Sequence, residues 1–85
     1  MVKYNLLIKP SALKEIKQLS KKELARITQK IRELAETPRP MNSEKLSAKE
    51  QYRIRQGDYR ILYSIDDVEK TVIIVKIAHR REVYR

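Results

Sequence analysis

Apolar and polar residues alternate from the start of the chain. In Val2-Lys3-Tyr4-Asn5-Leu6-Leu7-Ile8-Lys9, the residues Val2, Tyr4, Leu6 and Ile8 share one side and Lys3, Asn5 and Lys9 the other, the period of a half-buried strand. Pro10-Ser11 breaks that strand, and Ser11 stands where it can cap a short helix carrying Leu13, Ile16 and Leu19 on one stripe. Ser20-Lys21-Lys22-Glu23 has the spacing of a capping box, so a second helix starts there. It runs on Leu24, Ile27, Ile31, Leu34 and Ala35 until Thr37-Pro38-Arg39-Pro40 stops it, and the two helices form a hairpin. The polar stretch from Met41 to Glu50 reads as a loop anchored to the core by Leu46. Alternation returns in Gln51-Tyr52-Arg53-Ile54-Arg55-Gln56, Gly57-Asp58 signals a two-residue hairpin, and Tyr59 to Ile65 forms the partner strand. Asp66 to Lys70 makes the next turn, and Thr71 to Ala78, apolar at almost every position, has the pattern of a central strand covered on much of both faces. The prediction is one α+β domain over residues 1–85: an N-terminal strand, a helical hairpin, then a three-stranded antiparallel meander, with the helices packed on one face of the sheet.

A chain of 85 residues has room for one small core, and domains of this size bury only about 60 to 65% of their unfolded surface. A ligand would therefore lie in a shallow groove or on a sheet face, which suits a polymer. Twenty Lys and Arg against eleven Asp and Glu leave a formal charge of +9, more than solubility requires of so small a domain, and polyanions or acidic proteins are the natural partners. Zero Cys excludes disulfides and thiolate metal sites, so a cytoplasmic location is the expectation. The N-terminal apolar stretch is too short and interrupted for a signal peptide, and no segment approaches membrane-spanning length.

The predicted hairpin register sorts the chemistry by face. With Gly57 and Asp58 as the loop, Arg55 faces Arg60, Ile54 faces Ile61, Arg53 faces Leu62 and Tyr52 faces Tyr63. Tyr52, Ile54, Ile61 and Tyr63 then point to the helices, with Tyr59 on the same side, while Arg53, Arg55 and Arg60 gather on the opposite face. Like charges directly across a strand pair are destabilising, and an anion between them removes the penalty. The last seven residues, His79-Arg80-Arg81-Glu82-Val83-Tyr84-Arg85, add three guanidiniums, an imidazole and a phenol where the last strand ends. That inventory suits phosphate chemistry.

Tyr52-Arg53-Ile54-Arg55, Gly57-Asp58-Tyr59-Arg60-Ile61-Leu62-Tyr63 and the tail, in this order of elements, resemble the RelE branch of the RelE/ParE toxin superfamily along the whole chain. The resemblance implies a toxin of a type II toxin–antitoxin pair, an endoribonuclease that cuts messenger RNA in the ribosomal A site until an antitoxin neutralises it. It implies that Arg53 and Arg55 stand near the scissile phosphate, that Arg60 is the arginine of a Gly-x-Tyr-Arg stretch, that Arg80 or Arg81 is the tail arginine, and that Tyr84 belongs to the Glu-Val-Tyr element. In the best-known members the two basic strand positions are lysine. Arginine stays charged, so Arg53 and Arg55 can clamp phosphate but cannot act as bases.

The chemistry these residues permit is metal-independent attack of the RNA 2′-hydroxyl on the neighbouring phosphorus. Arginines stabilise the developing negative charge. Tyr84 is the candidate to take the 2′-proton, because surrounding guanidiniums favour its phenolate; His79, Arg80 and Arg81 are candidates to protonate the leaving oxygen. Arg53, Arg55, Arg60, Arg80, Arg81 and Arg85 form the RNA-binding set. No cluster has metal-ligand spacing, no cofactor is implied, and the expected partners are ribosome-bound messenger RNA and a cognate acidic antitoxin, with no membrane. Two alternatives remain at this point: a ParE-like toxin that binds and poisons DNA gyrase, and a basic nucleic-acid-binding module without catalysis.

Overall fold

A computed structural model describes residues 3–46 and 51–79. The elements are β1 (Asn5–Ile8), α1 (Pro10–Lys17), α2 (Lys21–Glu36), β2 (Glu44–Lys45), β3 (Gln51–Gln56), β4 (Tyr59–Asp66) and β5 (Thr71–His79). They build a sheet in the order β1-β5-β4-β3-β2 with both helices on one face, the α+β arrangement predicted from the pattern.

Local chemistry explains the helix ends. Ser20 caps α2, its side chain accepting from the Glu23 amide at 3.3 Å. Glu23 also places a negative charge in the first turn, where the helix dipole favours it. The α1 start differs from the expectation: Pro10 is its first residue, Lys9 occupies the cap position without a side-chain bond, and Ser11 lies inside the helix. The fixed φ of proline suits that first position, and its missing N–H is no loss there.

The core forms between the helices and the inner sheet face. Ile27, Ile31 and Leu34 of α2 and Ala12 and Ile16 of α1 pack against Ile54, Ile61, Tyr63, Val72 and Ile74. Leu13 and Leu24, read as stripe residues, stay more than a third exposed, as does Ile8 of β1. α1 buries Ala12 and Ile16, and α2 buries Ile27, Ile31, Leu34 and Ala35, while Leu13 and Leu24 stay at the rim.

Three features of the sheet were not in the predicted outline. First, β1 pairs with β5 in parallel, Asn5 opposite Thr71 through Ile8 opposite Ile74, so the sheet is mixed. Secondly, the stretch from Met41 contains β2, which pairs Glu44 with Arg53 and Lys45 with Tyr52. Leu46, expected to anchor this connector, is 38% exposed; its amide donates to the Gln51 carbonyl instead. Thirdly, the β4–β5 ladder shifts register between Leu62 and Tyr63, so Lys76 faces Leu62 while Ile74 faces Tyr63.

Two groups of long-range polar contacts fasten the layers. Because β1 pairs with β5 only as far as Ile74, the β5 edge beyond it needs another acceptor. Glu15 of α1 supplies it, taking the Ile77 amide at 3.0 Å and the Lys76 ammonium at 2.9 Å. Arg39, just after α2, donates to the Tyr52 hydroxyl at 2.8 Å and pairs with Asp67 at 2.8 Å, and Tyr4 donates to the same carboxylate at 2.7 Å. The Arg39 bonds and then the Tyr4 bond hold the Asp67 carboxyl at about 2, below its ordinary 3.8.

Candidate functional site

The β3–β4 hairpin positions the arginines. Gly57 takes a φ of +62°, and of the two loop residues it alone enters the left-handed region that favours glycine, the φ pattern of a II′ turn. The register is Gln56 opposite Tyr59, Arg55 opposite Arg60, Ile54 opposite Ile61, Arg53 opposite Leu62 and Tyr52 opposite Tyr63. Tyr52, Ile54, Ile61 and Tyr63 are buried under the helices, and the Tyr52 and Tyr63 rings stack at 5.7 Å. Alternation therefore sends Arg53, Arg55 and Arg60 to the open face together. Arg55 is exposed, and Arg53 and Arg60 are half-buried.

The open face also carries a carboxylate. Glu44 of β2, directly opposite Arg53, accepts from its guanidinium at 2.7 Å. Nothing in the local sequence pattern marked it, because a two-residue strand is too short to show a period.

His79 sits elsewhere. It faces Tyr59 across the β4–β5 ladder, its ring edge-on to the tyrosine at 5.2 Å, on the helix side of the sheet. Together with Glu15, Gln18, Leu19 and Ile77 they border a cavity of about 330 Å³. A proton from His79 would thus have to pass round the end of β5 to reach the arginine face. Arg80, Arg81, Tyr84 and Arg85 lie outside the described residues. Among the described residues, no three His, Cys, Asp or Glu side chains stand close enough to hold a metal ion, and no helix is long and apolar enough to cross a membrane.

Three guanidiniums thus share the open face of a sheet whose other side carries the core, which makes this a small α+β protein with a cationic sheet face. Comparison with known proteins gives that class a family. The chain belongs to the ParE toxin family of type II toxin–antitoxin systems, whose model matches residues 6–84, and within the RelE/ParE superfamily it is RelE-like. It is similar to RelE1 of Methanocaldococcus jannaschii, 33% identical, with 99% of this chain and 98% of that protein covered. A shorter match to the toxin RelG of Mycobacterium tuberculosis is 47% identical over 34 residues and spans 40% of this chain and 39% of RelG. Among solved structures, the toxin–antitoxin complex RelBE2 from Mycobacterium tuberculosis contains a similar fold, with a TM-score of 0.81, 28% identity, and 93% of this chain and 100% of that chain covered.

Proposed function

We propose that this protein is the toxin of a type II pair and that it stops translation by cutting messenger RNA in the ribosomal A site without a metal ion. The observation that carries the reading is Arg55 directly opposite Arg60, with Arg53 on the same face. Folding alone disfavours such a pair, whereas a phosphate between the guanidiniums would turn the repulsion into binding.

Three arginines supply one part of the reaction well. Fixed cationic donors aimed at the pentacoordinate phosphorus stabilise charge that grows as the 2′-oxygen attacks. They do not move protons, since arginine holds its own. Tyr84 is the candidate to take the 2′-proton, because surrounding guanidiniums favour its phenolate, and His79, Arg80 and Arg81 are the candidates to supply one to the leaving 5′-oxygen, although an arginine gives up its proton with difficulty. So sparse a set of acid–base groups depends on a substrate already ordered, and the ribosome does that ordering.

The partner that restrains the toxin is a cognate antitoxin, as the RelBE2 complex is a toxin with its antitoxin. The formal charge of +9 asks for an acidic one, with an amphipathic segment to lie along the sheet. The test is a translation mixture stalled at a known codon, with messenger ends mapped after the toxin is added. Cleavage within the A-site codon is the expected result, and intact messenger would overturn the reading. The rival is gyrase poisoning, favoured by the ParE description of the matching family. Loss of gyrase supercoiling with messenger left whole would establish it instead.

A further inference from the structure

We infer that Glu44 is the group that takes the 2′-proton, with Arg53 holding both this carboxylate and the scissile phosphate; the inference rests on the nuclease reading above. Glu44 Oε2 lies 2.7 Å from an Arg53 guanidinium nitrogen, on a strand pair that sets the two residues directly opposite each other. A guanidinium has five N–H donors in a planar fork, and this contact leaves others for a phosphate oxygen. A phosphate gripped by Arg53 therefore brings the 2′-hydroxyl of the ribose joined to it through a 3′-oxygen beside a carboxylate already in place.

The site chemistry calls for such a group. Of the side chains that β3 and β4 send to this part of the face, the guanidiniums cannot accept a proton. Asp66 shares the face but stands six residues from Arg60 on β4, about 20 Å along the strand, and its oxygen accepts the Glu69 amide at 3.0 Å. Glu44 is next to Arg53 and its side chain is 68% exposed, so an incoming RNA can reach it. The arginine at position 53, which removes a possible lysine base, and the carboxylate across from it are thus two halves of one arrangement.

The step balances within these groups. Glu44 takes the proton as the 2′-oxygen bonds to phosphorus, the P–O5′ bond breaks, and the leaving oxygen is protonated by a tail residue or water. The products are a 2′,3′-cyclic phosphate and a 5′-hydroxyl, and Glu44 returns its proton to solvent. Tyr84 is then free to stack on a base rather than act as a phenolate.

The experiment measures single-turnover cleavage on stalled ribosomes for wild type, Glu44→Gln, Glu44→Asp, Asp58→Asn and Tyr84→Phe, beside binding to ribosomes carrying a 2′-deoxy messenger. Glutamine keeps an oxygen that accepts from Arg53, so a merely structural contact survives it. The expected result is a fall of about 100-fold or more in cleavage for Glu44→Gln, binding at least as tight as wild type, and residual cleavage for Glu44→Asp. Glu44→Gln cutting within about threefold of wild type, or losing binding and cleavage together, overturns the inference. So does a large loss in Tyr84→Phe or Asp58→Asn with Glu44→Gln active. Wild type that leaves the messenger intact removes the nuclease reading itself, a different result from any of these.

Discussion

Replacing Arg55 by glutamine should make the protein more stable and less active at once. Gln56 and Tyr59 flank the two-residue loop as a hydrogen-bonded pair, so Arg55 and Arg60, one step along, form a non-hydrogen-bonded pair with Cα atoms about 4.5 Å apart. If the charged heads splay to about 7 Å in water, their repulsion is about 0.6 kcal/mol, inside the range of about 0.2 to 1 kcal/mol for cross-strand pairs. For a domain of this size, that corresponds to a rise of about 2 to 5 °C in melting temperature. Thermal unfolding followed by circular dichroism in low salt measures it. The gain should vanish in 1 M sodium chloride, where the screening length falls to about 3 Å. Ribosomal cleavage should fall by about 100-fold or more, the usual loss when one fixed donor to a developing anion is removed. A variant less stable than wild type in low salt, or one whose gain persists in high salt, would refute the claim that this face is held under electrostatic strain.

Other consequences can be measured on the same protein. Because the Asp67 carboxyl is held at about 2 against an ordinary 3.8, it binds protons more readily unfolded than folded, so its contribution is full above about pH 4 and is lost as pH falls towards 2; Asp67→Asn should flatten acid unfolding across that window, and an unchanged profile would show that the Arg39 pair contributes nothing. Glu15→Ala strips the acceptor from the Ile77 amide and should cost about 1 to 3 kcal/mol in urea unfolding, while Glu15→Gln, which keeps an acceptor, should recover most of it. Arg60→Ala is expected to abolish A-site cleavage in a protein that still folds and binds antitoxin, and full activity would make that residue structural; Tyr84→Phe, which keeps a ring to stack, is expected to retain most of its cleavage, and abolished cleavage would return the 2′-proton to Tyr84.

The arginine face was legible because one dipeptide fixed it. Gly57-Asp58 allows a two-residue loop, the loop sets the parity, and parity assigns Arg53, Arg55 and Arg60 to one side and Tyr52, Ile54, Ile61 and Tyr63 to the other. A helix capped by Ser20 and an almost wholly apolar β5 were equally local signals. What stayed hidden depends on residues far apart in the chain. The parallel pairing of β1 with β5 follows from how the helical hairpin returns the chain to the sheet, and no window of ten residues contains that. Glu15 and Ile77 are 62 positions apart, and Arg39 and Asp67 are 28 apart. Glu44 was concealed by the brevity of β2, although it stands beside a residue already singled out.

The pairing of β1 with β5 also bears on when the protein becomes dangerous. Residues 5–8 leave the ribosome early and must wait for 71–74 before they have a neighbour, and such distant pairings form late. Until then β5, whose Val72 and Ile74 are fully buried between the helices and the sheet, is missing from the structure. A toxin built this way would therefore stay unassembled through most of its own synthesis, and a partner made beforehand has that interval in which to be ready.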